Sequence, residues 1–168
     1  MADPGISYTP GATSQPVAAE QKLRVLQALK GRASWFVMIA ALSMVNSILA
    51  MSGTSVRFIF GLGFSQIVDA LAHQAGSTGY ILDLIINGIV AGVFVLFWNF
   101  ARKGQKWAWY VGMAVYLVDG VLLLLFKDYL AIAFHAYALY RMSSGLKLLP
   151  ILERLEQQSA TGAVSTSF

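Results

Sequence analysis

The sequence predicts an all-α membrane protein, a four-transmembrane-helix bundle with an N-terminal amphipathic helix and an outer-leaflet amphipathic helix between spans one and two. Three observations predict it. Of 168 residues, 57% are apolar and 12% are charged, against about 25% charged in average soluble domains. The mean hydropathy is +0.64. The apolar residues are gathered into continuous runs near the length a helix needs to cross a bilayer, roughly 20 residues at about 1.5 Å each. Continuous runs favour helices, because barrel strands alternate in polarity. The chain contains no cysteine, which excludes disulfides, thiolate metal sites and cysteine nucleophiles.

The elements follow in order. Residues 1–16, with Pro4, Gly5, Pro10, Gly11 and Pro16, have loop composition and are expected to be flexible. Residues 17–32 set Leu23, Val25, Leu26 and Leu29 against Lys22, Arg24 and Lys30. This pattern reads as a basic amphipathic helix on an anionic leaflet, bent at Gly31, or as an extension of the first span into the cytoplasm. A cleaved signal peptide is disfavoured, because about thirty residues precede the first long apolar run. The spans are read at 33–51, 80–100, 107–126 and 129–149, which together make a membrane domain over 33–149. The fourth run is apolar at first and then meets Ser143, Ser144, Gly145 and Lys147, with Arg141 expected to snorkel. Residues 56–75 carry Phe60, Phe64, Ile67, Val68 and Leu71 at helical spacing, interleaved with Arg57, Gln66, Asp69 and His73. They read as an interfacial helix. The end, 150–168, is rich in Ser, Thr and Gly towards its terminus and is expected to be a flexible cytoplasmic tail.

Orientation follows from the cations. With four spans and the N-terminus inside, Lys22, Arg24, Lys30, Arg32, Arg102, Lys103, Lys106, Arg141, Lys147 and Arg154 fall on one side, and Arg57 and Lys127 on the other. A fifth span at 56–75 destroys that asymmetry, so the positive-inside rule selects four. Both termini are then cytoplasmic. Trp35, Trp98, Trp107 and Trp109 lie at the cytoplasmic helix ends, where an indole N–H can stay among headgroups. Lys22, Arg24, Lys30, Arg32, Arg102, Lys103 and Lys106 are the expected contacts to anionic headgroups. The +4 net charge is absorbed by this orientation and makes no case for nucleic acid.

Small residues four apart recur as Ser43/Ser47, Gly88/Gly92 and Ala108/Gly112. Their ordinary meaning is close helix packing within the bundle, with a dimer face as the other use. Polar residues inside the spans need partners, since an ionised group at mid-membrane costs at least about 2.5–3.5 kcal/mol. Converted to depth at about 1.5 Å per residue, Asn46, Asn87, Asp119 and His135 all lie about 7–11 Å below the non-cytoplasmic boundary. Asp83 stands one turn from Asn87, and Tyr116 is near Asp119 on its own helix. Two readings stay open. The layer is a hydrogen-bonded network that fixes helix register, or it is a site where an Asp–His pair handles a proton, cation or polar ligand.

Catalytic motifs are missing: there is no phosphate-binding glycine loop, zinc-binding His-Glu-x-x-His or nucleophile elbow. No cofactor is expected. One histidine with scattered acids makes a poor metal set, and a b-type haem normally takes two facing histidines. The leading functional reading is therefore a non-enzymatic accessory or structural subunit, packing with itself or with a larger membrane complex. A small proton- or cation-coupled carrier is the alternative, and a quinone- or haem-binding redox subunit is third.

The stretches from Phe60 to Asp69, from Ala101 to Trp107 and from Tyr116 to Gly120, with His135, resemble small bacterial four-helix membrane proteins of unassigned function. The resemblance covers most of 33–149. It implies the bacterial inner membrane and supplies no functional residue.

Overall fold

A computed structural model describes residues 14–52, 62–64, 67–68 and 76–165. Among these residues the chain is all-α, without strands. The helices are α1 (Ser14–Met51), α2 (Gly76–Ala101), α3 (Lys106–Leu122), α4 (Tyr129–Leu146) and α5 (Leu149–Ser165). Two segments are long and apolar enough to cross a membrane, Val17–Leu49 within α1 and Ile81–Ala101 within α2. Of the expected flexible segment over 1–16, residues 14–16 are instead the start of α1, and 1–13 lie outside the described residues, as does most of the expected interfacial helix over 56–75, including Arg57, Asp69 and His73.

Helix α1 has 38 residues and is therefore about 57 Å long. It runs unbroken through Gly31. The expected separate amphipathic helix over 17–32 is instead the first half of α1, as the extension reading had it. The physical reason is burial, because Leu29 and Ala33 are both fully covered and continue one stripe across the glycine. Helix α1 packs most extensively on α2 and also touches α4 and α5.

The interior is an interlocked aromatic stack. Phe36 of α1 meets Phe94 and Phe97 of α2 and Trp109 of α3, with ring centroids 5.9–6.4 Å apart, and Phe94 meets Tyr116 edge-on at 6.2 Å. Glycine is required where rings approach backbone. A Cβ at Gly112 would lie 2.7 Å from the Phe36 ring, and one at Gly145 would overlap the Trp109 indole. The α2–α3 turn closes at Gly104, whose φ of +83° is left-handed. Its missing side chain also leaves room for Leu152.

Three sequence expectations change here. The third span, expected over 107–126, is helical to Leu122, and turns then carry the chain to Lys127, whose φ is +56°. Asp128 caps α4 by accepting from Ala131 N at 3.1 Å. The fourth helix stops at Leu146 rather than 149. The expected flexible tail over 150–168 is instead helix α5 through Ser165. Leu149, Leu152 and Leu155 recur every three residues and are buried, while Lys106 and Lys22 bond Glu153 and Glu156 at 2.6 and 3.3 Å. Pro150 sits in the first turn of α5, where no amide partner is lost.

A few polar side chains lie inside the apolar core, and large apolar side chains line the outside of the helices. Ser43, Ser47, Asp83, Asn87, Asp119 and His135 are buried, whereas Ile81, Ile85, Ile89, Leu96, Leu117, Val118, Val121 and Leu130 are exposed.

Candidate functional site

Four of the six buried polar residues form two pairs, one within α2 and one between α3 and α4. On α2, Asn87 Nδ2 donates to Asp83 Oδ1 at 2.8 Å, the one-turn contact their spacing allows. Between α3 and α4, Asp119 Oδ2 lies 2.9 Å from His135 Nε2. Tyr116, one turn before Asp119, stacks on the imidazole with centroids 4.2 Å apart. Gly120 makes the approach possible, because a Cβ there would lie 3.2 Å from His135.

Asp119 is also the acceptor for the segment that joins α1 to α2. Gly63 N donates to its Oδ2 at 2.7 Å and Phe64 N to its Oδ1 at 2.8 Å. Leu62 N donates to Ser43 Oγ of α1 at 2.9 Å. Gly63 must be glycine, since a Cβ would meet the Leu123 side chain at 2.8 Å and the Asp119 carbonyl at 3.1 Å. Thus three consecutive backbone amides are held by two side chains on different helices.

Hydrogen-bond bookkeeping constrains the protons. His135 Nδ1 is 2.9 Å from Ala131 O, and a carbonyl can only accept, so Nδ1 carries hydrogen. Nε2 then meets the carboxyl group either as the second N–H of an imidazolium or as acceptor of a proton on Asp119.

Of the residues read as one layer, Asp119 with His135 and Asp83 with Asn87 are brought into contact. Asn46 on α1 is half-buried. Among the described residues, no three His, Asp or Glu side chains gather as a metal set. The sequence reading missed Ser43 as an acceptor and the amides of residues 62–64. The glycines at 61 and 63 were the available signal, since close packing at such a spacing is what glycine permits.

Two other expectations are corrected. Trp109 does not lie among headgroups. It is fully buried, and its Nε1 donates to Ala101 O at 3.0 Å. Gly88 and Gly92 do not pack inside the bundle, because a Cβ at either would meet nothing within 4 Å. Ser43, Ser47, Ala108 and Gly112, by contrast, are inside.

The cations expected at headgroups have partners of several kinds. Lys22 and Lys106 pair with α5, Arg24 pairs with Glu20 at 2.6 Å, and Arg32 Nη1 donates to Ser144 Oγ at 2.6 Å. Arg102 donates to Asn99 and lies 4.3 Å over the Trp98 ring, and Lys103 lies 5.7 Å over Phe100. Lys30 is exposed.

The class that these observations define is an all-helical protein with, among the described residues, two helices long and apolar enough to cross a membrane and a small set of polar side chains buried between helices. No family model, no curated protein and no solved structure matches this chain.

Proposed function

We propose that this chain is a four-span integral protein of the bacterial inner membrane, with both ends cytoplasmic, acting as a non-enzymatic structural or accessory subunit. The observation that carries the reading is that Asp119 spends both carboxylate oxygens on the chain's own groups, Gly63 N, Phe64 N and His135. A transport or catalytic centre needs polar capacity left for a ligand, whereas a network consumed internally fixes helix register. The exposed apolar faces support the spans, since Ile and Leu on the outside of α2, α3 and α4 need an apolar surround. Open glycines at 88 and 92 leave α2 a smooth outer face for another helix, its own copy's or a larger complex's.

The test has two arms. Because the native chain has no cysteine, single cysteines report topology cleanly. Q15C and Q105C should be labelled from the cytoplasmic side and F126C from the other. Extraction in mild detergent should yield a complex or oligomer, and a monodisperse lone monomer counts against the subunit role.

One observation favours a second reading, a proton-handling carrier: a buried carboxyl group and an imidazole stand 2.9 Å apart between α3 and α4. That reading requires D119N to abolish transport in vesicles at unchanged stability. The subunit reading requires loss of stability instead.

A further inference from the structure

On the outside of the bundle, α3 and α4 leave a groove of about 380 Å3. Met113, Ala114 and Leu117 form one wall, and Leu139, Tyr140 and Ser143 the other. Ser143 Oγ is turned to the Tyr140 carbonyl, donating at 2.8 Å, so the walls are apolar along their length. One helical turn further towards the cytoplasmic end of the proposed topology, the same faces carry Tyr110 and Lys147.

The charge at this mouth is not met by the chain. The described acidic side chains at this end are Glu20, Glu153 and Glu156, and each is already bonded to a cation: Arg24, Lys106 and Lys22 respectively. Lys147 is exposed and has no ion pair among the described residues. A second copy's apolar face offers no carboxylate to it either. Asp83 and Asp119 are buried, and Asp128 caps α4 at the far end. An open apolar groove bordered by tyrosines and an unneutralised lysine matches an amphiphile with a negative head.

We propose that this groove seats an acyl chain of one anionic phospholipid, with its phosphate at Lys147. The proposal rests on the four-span reading. It is tested by native mass spectrometry of the full-length protein released from nanodiscs of equal phosphatidylglycerol and phosphatidylethanolamine. Wild type should retain one phosphatidylglycerol. K147Q should lower the preference for it about fivefold, one lysine's attraction to an anionic surface. K127Q, removing an exposed cation at the opposite end of α4 from Lys147, should leave the preference unchanged. A114W, which fills the groove, should reduce retained lipid more than tenfold.

Phosphatidylglycerol with a diazirine on its acyl chain gives a readout independent of any variant, and should cross-link within 113–117 or 139–143. Cross-links spread evenly over the helices overturn the proposal, as does equal loss of preference in K147Q and K127Q. So does a dimer that carries no lipid. Alkaline extraction separates the two levels. Protein that stays in the membrane pellet but retains no phosphatidylglycerol refutes the groove alone, whereas protein released to the supernatant refutes the membrane reading beneath it.

Discussion

Replacing Asp119 with asparagine probes the polar cluster most directly. The carboxylate accepts from Gly63 N at 2.7 Å, from Phe64 N at 2.8 Å and contacts His135 Nε2 at 2.9 Å, with Asp119 and His135 both almost fully buried. Asparagine keeps one acceptor oxygen and turns an NH2 group towards another donor. Hydrogen bonds to a charged group are worth about 1.5–3 kcal/mol each, and removing one member of a buried pair costs about 3–5 kcal/mol. D119N should therefore lose about 3–5 kcal/mol, measured by reversible unfolding in mixed micelles. H135F keeps a ring against Tyr116 while removing both nitrogens. In a double-mutant cycle with D119N it should show a coupling of about 0.5–3 kcal/mol. A D119N protein within about 0.5 kcal/mol of wild type, or strictly additive effects, refutes the view that this pair ties the α1–α2 connection to the bundle.

The remaining expectations contrast sites of like chemistry. Gly145→Ala drives a methyl group into the fully buried Trp109 ring and should cost about 1–3 kcal/mol, whereas Gly92→Ala meets open space and should gain up to about 1 kcal/mol from helix propensity. The same unfolding titration compares them, and a destabilising Gly92→Ala would point to a partner on that face. Trp109→Phe removes the bond to Ala101 O and should cost about 1 kcal/mol or more by that assay. Leu152→Ala should cost about 2–5 kcal/mol and speed native-state tryptic cleavage after Arg154, which is exposed but held in α5. K106Q, which breaks a half-exposed ion pair to Glu153, should change stability by no more than about 1 kcal/mol and leave cleavage slow.

Much of the fold is legible in the linear pattern, and the reason is local. Apolar run length and helical periodicity depend on neighbours along the chain, so α2 and α4 can be located to within a few residues at most ends, as can the turn around Gly104. Asp83 and Asn87 are likewise visible as a pair, because one helical turn separates them. The contact between Asp119 and His135 was approachable through depth, since two positions equally far from a boundary on adjacent helices are brought to one level.

What local pattern could not reveal depends on which faces meet. Trp109 looks like an interfacial tryptophan by position, yet α3 is rotated so that its indole fills the space left by Gly145. Gly88 and Gly92 have the spacing of a packing motif, but α2 turns Phe94 and Phe97 inward and leaves those glycines outside. Residues 149–165 read as a tail because their polar composition hides a three-leucine stripe whose worth appears only once α1 is there to cover it. Composition and periodicity by themselves determined an all-helical chain with apolar segments of membrane-crossing length. Tertiary packing decided that Asp119 would bind the amides of Gly63 and Phe64, because rotation about a helix axis is set by partners distant in sequence and by no property of the helix alone.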